Sequence, residues 1–203
     1  MKIICIGRNY ADHAKEMNSP LPKVPMFFMK ADTSLLRPGM PFFYPSFSKD
    51  IHFECELVIK INRVGKNIAE RFAHKYYSEI GLGIDLTARD LQAECKKNGH
   101  PWEIAKSFEG SAPICKDFID KSELQLDDLK FRLEQNGEEV QKGTSADMIF
   151  SIDKLIAYVS QFMTLKKGDL IYTGTPAGVG PIAINDILVG FIGEKKMFEV
   201  KIK

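Results

Sequence analysis

The chain lacks the features that mark several large classes of protein. No apolar run reaches the 18 residues of a membrane-crossing helix, and segment 1–8 is too short a hydrophobic stretch for a signal peptide. Four cysteines (Cys5, Cys55, Cys95, Cys115) form no Cys-x-x-Cys pair, which speaks against a zinc cluster and suits reduced, buried thiols in a cytoplasmic protein. A charge excess is also missing. With 28 Lys and Arg against 27 Asp and Glu, and no block of either sign, neither nucleic acid nor a membrane is an expected partner. There is no internal repeat. The glycine-rich run 174–180 lacks the Gly-Lys-Ser/Thr ending of a phosphate loop.

What remains is 203 residues of ordinary globular composition, 44% hydrophobic and 27% charged. That length suggests one domain spanning 1–203, able to bury a core without disulfides or structural metal.

The most informative stretch is 51–61, where Ile51, Phe53, Cys55, Leu57, Ile59 and Ile61 alternate with other residues. That is the period of a strand, so Glu54 and Glu56 share a face with His52, while Cys55 turns toward the core. Two carboxylates roughly 5 Å apart at an effective dielectric of ~20 repel by about 3 kcal/mol, and a divalent cation offsets that best. A solvated sheet face is the plainer alternative.

Elsewhere the pattern gives a short helix capped by Asn9, with His13 and Glu16 three residues apart, a pair that is commonly just a surface contact. An extended connection through Pro20, Pro22 and Pro25 follows. A helix is expected over 67–77. An apolar strand over 80–85 ends on Asp85. A helix opened by the capping box of Thr87 and Asp90 stops before Gly99 and shows Arg89, Gln92 and Lys96 on one face. A hairpin over 129–143 turns at Asn136-Gly137. Ser151 caps the clearest amphipathic helix, expected to run to Gly168-Asp169. The sum is an α+β fold, mainly β-sheet, with a few flanking helices.

Lys106 sits among apolar residues, so its ammonium either snorkels to water or meets an anion. The run 173–180 is either a tight turn or a loop that grips a carboxylate through its amides and the Thr175 hydroxyl. His74 and His100 have no such context; His52 is a candidate supporting residue beside the acids.

In order along the chain stand Gly7-Arg8-Asn9-Tyr10-Ala11-Asp12-His13, Glu54-x-Glu56, Asp85-x-Thr87-Ala88-Arg89-Asp90-x-Gln92, Lys106-Ser107-Phe108 and Thr173-Gly174-Thr175-Pro176. Together they resemble the fumarylacetoacetate hydrolase family, in particular its short single-domain branch of acylpyruvate hydrolases and oxaloacetate decarboxylases. The resemblance implies a mixed β-sandwich roll that forms a homodimer. It implies Mg²⁺ or Mn²⁺ held by Glu54, Glu56 and Asp85, a hard oxygen set that also suits Ca²⁺. His13 and Glu16 match the family's acid–base dyad; Arg89, Gln92, Lys106 and Thr175 match substrate contacts, and Lys106 joins His13 and Glu16 as a candidate catalytic residue.

The implied activity is metal-dependent hydrolysis of the carbon–carbon bond of acylpyruvate-type 2-oxo acids through a pyruvate enolate, with oxaloacetate decarboxylation by the same site. Two alternatives stand beside it. One is a hydratase, isomerase or decarboxylase of 2-oxo-dienoates from aromatic catabolism, with segment 19–25 setting specificity. The other is a non-catalytic metal- or ligand-binding protein.

Overall fold

The computed structural model describes residues 1–17 and 20–203, so Ser19, the first residue of the expected specificity segment, lies outside the described residues. The chain is strand-rich. Eleven of its strands position the site: β1 (Ile3–Gly7), β2 (Met26–Lys30), β3 (Ile51–Phe53), β4 (Cys55–Ile61), β5 (Tyr77–Ile84), β6 (Ile119–Asp120), β7 (Lys130–Gln135), β8 (Glu138–Thr144), β9 (Leu170–Tyr172), β10 (Ile187–Ile192) and β11 (Lys195–Lys201). A six-stranded sheet has the order β2-β1-β9-β4-β5-β6; β1 and β9 are parallel and the other neighbours antiparallel. A four-stranded antiparallel sheet, β8-β7-β10-β11, packs on it where β10 and β11 meet β5 and β7 meets β4.

This packing explains why β4 reads as it does. Leu57, Val58 and Ile59 are all fully buried, so both faces of the strand are covered. A strand buried on both sides cannot offer a solvated face, and Glu54 and Glu56 are only 6% and 1% exposed. Close approach on the neighbouring strand requires glycine. A Cβ on Gly83 would stand 2.7 Å from the Pro113 carbonyl oxygen and from the Tyr172 ring.

The helices are α1 (Ala11–Glu16), α2 (Glu70–Ala73), α3 (Arg89–Asn98), α4 (Glu103–Lys106) and α5 (Ile152–Phe162). Among the described residues no helix is long and apolar enough to cross a membrane. The Asn136-Gly137 hairpin forms with φ of 56° and 89°, and Ser151 Oγ accepts the Lys154 N–H at 3.3 Å as expected of a cap. Gly99 ends α3 at φ 68°.

Five local expectations give way. The alternating run 51–61 breaks at Glu54, and β3 and β4 belong to different sheets. The helix over 67–77 shrinks to α2, because Asn67 adopts φ 52° and Tyr77 already starts β5. The Thr87 and Asp90 capping box does not form: Thr87 pairs with His52 across strands, and Asp90 accepts from Ser48 Oγ and the Lys49 N–H. Helix α5 stops at Phe162, since Leu165 exchanges both backbone hydrogen bonds with Gly65. Asn9 does not cap α1; its buried amide bonds the Phe150 N–H and the carbonyls of Phe150 and Thr173. That amide pins the end of β1 to the end of β9.

Candidate active site

Strand register assembles the acids. Glu54 occupies the break between β3 and β4, Glu56 pairs with Gly83, and Asp85 follows β5 with its N–H on the Glu54 carbonyl at 2.8 Å. One oxygen from each of Glu54, Glu56 and Asp85 lies within 4.8 Å of the other two, and all three residues are buried. Three carboxylates packed this closely repel strongly at low dielectric.

Cations meet them from three directions. Lys106 Nζ, at the end of α4, donates to Glu54 Oε2 at 2.9 Å, Asp85 Oδ2 at 2.7 Å and Thr87 Oγ1 at 2.6 Å. The lysine is 2% exposed, so it meets anions rather than snorkelling. Arg89 Nη2 donates to Glu54 Oε1 at 2.7 Å. Lys30 Nζ, fully buried at the end of β2, lies 2.8 Å from Asp85 Oδ1 and also donates to the carbonyls of Leu86, Lys106 and Ser111. Sequence reasoning missed Lys30, although a lysine closing the apolar strand Met26–Lys30 carries the same signal as Lys106.

The electrostatic consequences differ among the groups. Burial pushes the Glu54 carboxyl up, yet Lys106 and then Arg89 outweigh it and hold it well below the usual range. Glu56 has no such partner. Burial first, then the charges of Asp85 and Glu54, raise its pKa well above normal despite the Gly174 N–H on its Oε2 at 2.7 Å. Burial lowers the Lys106 pKa, but Asp85 and Glu54 raise it further.

Two buried polar atoms in this cluster lack a hydrogen-bond partner: Asp85 Oδ1, whose contact with Lys30 is an ion pair off the hydrogen-bond direction, and Arg89 Nε. The first is an acceptor suited to a cation and the second a donor suited to an anion. The all-oxygen set of Glu54, Glu56 and Asp85 therefore fits Mg²⁺, Mn²⁺ or Ca²⁺.

Helix α1 lies against the same cleft. His13 Nδ1 stands 3.1 Å from Glu16 Oε2, while Glu16 Oε1 accepts the Gly178 N–H at 3.1 Å. A carboxylate at Nδ1 fixes the proton there and leaves Nε2 as the basic nitrogen. A cavity of about 40 Å³ is lined by His13, the three acids, Arg89, Gln92, Lys106 and Thr175. Gln92 gives its carbonyl oxygen to Arg89 Nη1 at 2.8 Å, which leaves its amide donors for the cavity.

Thr175 departs from its expected role. Its hydroxyl donates to the Cys55 carbonyl at 2.9 Å and accepts from Gln141 Nε2 at 2.6 Å, so its single proton is already committed. The missed residue here is Gln141, 2% exposed on β8, which also binds the Cys55 N–H and the Pro176 carbonyl. Only its position opposite the turn reveals it. His52 pairs with Asp50 at 2.9 Å and does not line the cavity; His74 and His100 are exposed. All four cysteines are free and buried.

Buried acids on a strand-rich frame, roofed by a His–Glu pair, define a class of enzyme. The family model of the fumarylacetoacetate hydrolase C-terminal domain matches residues 2–202, and the chain belongs to that family. It is 45% identical over 202 residues to the mitochondrial oxaloacetate tautomerase FAHD1 of Mus musculus, covering 98% of this chain and 91% of the relative. Identity to the oxaloacetate tautomerase YcgM of Escherichia coli is 43% over 189 residues, covering 92% and 86%. The crystal structure of fumarylpyruvate hydrolase from Pseudomonas aeruginosa in complex with Mn²⁺ and pyruvate superposes with a TM-score of 0.92 at 34% identity, covering 100% of this chain and 89% of that one.

Proposed function

We propose that this chain is a divalent-metal-dependent enzyme that makes and protonates enolates of small 2-oxo acids. Keto–enol interconversion of oxaloacetate is the reading that the tautomerase relatives favour. Hydrolysis of acylpyruvates is the second, favoured by the fumarylpyruvate hydrolase likeness. The observation that carries both is the juxtaposition of Glu54, Glu56 and Asp85 with the His13–Glu16 pair around one cavity.

Glu54, Glu56 and Asp85 would hold Mg²⁺ or Mn²⁺, whose charge polarises a 2-oxo carbonyl. Arg89 Nε and the Gln92 amide, both short of acceptors, orient the substrate carboxylate. Lys106, beside Glu54 and Asp85, is placed to steady negative charge as it develops on the substrate. His13 Nε2, with Glu16 holding Nδ1–H, takes a proton: from the carbon between two carbonyls in tautomerisation, or from water in acylpyruvate cleavage. Glu16 is itself positioned by the Gly178 N–H. The homodimer implied by the family resemblance belongs to the same proposal, and light scattering tests it.

The experiment is a panel of oxaloacetate, acetylpyruvate and a 2-oxo-dienoate, each with and without Mn²⁺. Enol-to-keto conversion of oxaloacetate and pyruvate release from acetylpyruvate that require Mn²⁺ and collapse in His13→Gln support the reading. Binding of Mn²⁺ and oxalate with no turnover of any substrate would leave a ligand-binding protein.

A further inference from the structure

The cavity carries more positive charge than its acids use. Glu54, Glu56 and Asp85 are equalled in number by Lys30, Lys106 and Arg89, which pair with Glu54 and Asp85. Two more cations, Arg8 and Lys96, line the same cavity, and neither has a carboxylate within ion-pair distance among the described residues. Exposure orders these groups by depth. Glu56, Asp85 and Lys106 are at most 2% exposed, Arg8 is half-buried and Lys96 is exposed, so the last two stand at the mouth.

Arg8 is held there at a cost. It adopts φ 58°, a left-handed conformation that strains a non-glycine residue. The buried Asn9 amide, tied to Phe150 and Thr173, fixes the chain immediately after it. Lys96 projects from α3 one turn beyond Gln92, and its Nζ lies 5.5 Å from the Trp102 ring centroid, a contact that braces the side chain. Partial burial lowers its pKa, and Arg89 and Arg8 lower it further, so the cations are close enough to feel one another. Unpaired like charges gathered at one opening are stabilised by an anion that bridges them.

We infer that Arg8 and Lys96 form a second anion subsite that receives the distal carboxylate of the substrate, and that the enzyme therefore selects 2-oxo dicarboxylates over 2-oxo monocarboxylates. This deepens the proposed function and rests on it. The inner carboxylate and 2-oxo group sit at Arg89, Gln92 and the acids, and the far end of the molecule meets the mouth.

The test compares fumarylpyruvate, which has a distal carboxylate, with acetylpyruvate, which has none, using wild type, Arg8→Gln, Lys96→Gln and a control, Lys97→Gln. Lys97 is exposed on the same helix, does not line the cavity, and removes the same unit of charge. The subsite predicts a KM for fumarylpyruvate raised about tenfold by Arg8→Gln and by Lys96→Gln. KM for acetylpyruvate should stay within about twofold, and Lys97→Gln should resemble wild type. Equal rises for both substrates, no rise for either, or a Lys97→Gln effect as large as that of Lys96→Gln would overturn it.

A binding arm separates this inference from the reaction on which it rests. In the Mn²⁺-loaded protein, 2-oxoglutarate should raise Tm more than pyruvate does, and Lys96→Gln should erase the difference. That result without any turnover would keep the subsite and refute the reaction. Equal shifts, or none, would refute the subsite.

Discussion

Lys106 Nζ donates to Asp85 Oδ2 at 2.7 Å, with both side chains at most 3% exposed. The ammonium also reaches Glu54, so it bridges two of the three acids that the metal proposal uses. Removing it leaves Asp85 with Lys30 and Glu54 with Arg89, two cations for three buried carboxylates, at a cost of about 3–5 kcal/mol. Lys106→Met should therefore lower the Tm of the metal-free protein by about 10 °C. Mn²⁺ should raise Tm more in this variant than in wild type, because a cation replaces the missing charge. Calorimetric melting with and without Mn²⁺ checks both halves.

His13 acts through its base and Glu16 through orientation of that base. His13→Gln should lower acylpyruvate hydrolysis by about 10²–10⁴, the usual span for a lost acid–base group. Decarboxylation of oxaloacetate needs no attack by water and should fall far less. The Tm shift given by oxalate with Mn²⁺ should survive, since the acids are untouched. Equal loss of both reactions would refute the dyad.

Much of this site was legible before the fold, and the reason is local. Glu54, Glu56 and Asp85 lie in or beside strands of apolar residues, and His13 with Glu16, like Arg89 with Gln92, falls at helical spacing within one turn. What escaped notice depends on contacts distant in sequence. Lys30 reaches Asp85 across 55 positions, and Gln141 reaches Thr175 across 34. The failed helix over 67–77 and the shortened α5 share one cause. Asn67 and Leu165 make backbone bonds to Ser160 and Gly65, tertiary partners that outbid local propensity. Asn9 and Asp90 are similar: each carries a capping side chain diverted to a distant partner.

Gln141 is the buried joint under the glycine-rich turn. Gln141→Leu keeps the volume but leaves the Cys55 N–H and the Pro176 carbonyl without partners. At about 1–3 kcal/mol for each orphaned group, the loss should be about 3 kcal/mol in chemical denaturation. The turn carrying Thr175, which lines the cavity, should shift with it and change the cavity's shape, raising substrate KM, whereas Gln141→Glu should keep the bond from Cys55 and lose the two that Nε2 donates.

Asp90 gives a pH signature away from the acids. Burial raises its pKa, but hydrogen bonds from Ser48, Lys49 and Leu91 together outweigh that and lower it. A depressed carboxyl contributes stability above its unfolded pKa and loses it as pH falls through the folded value. The group is largely in water, so the contribution is about 0.5 kcal/mol, or one to two degrees in Tm. Asp90→Asn should melt below wild type by that margin at pH 7, and the gap should close below about pH 4.

Glu54, Glu56 and Asp85 together should hold one divalent cation. The direct measurement is anomalous diffraction from crystals grown with Mn²⁺, alongside a Mn²⁺ titration of wild type and Glu56→Gln. One strong peak is expected within coordination distance of all three carboxylates, with one ion bound per chain and an affinity at least tenfold weaker in Glu56→Gln. A peak elsewhere, or unchanged Mn²⁺ affinity in that variant, would contradict that expectation.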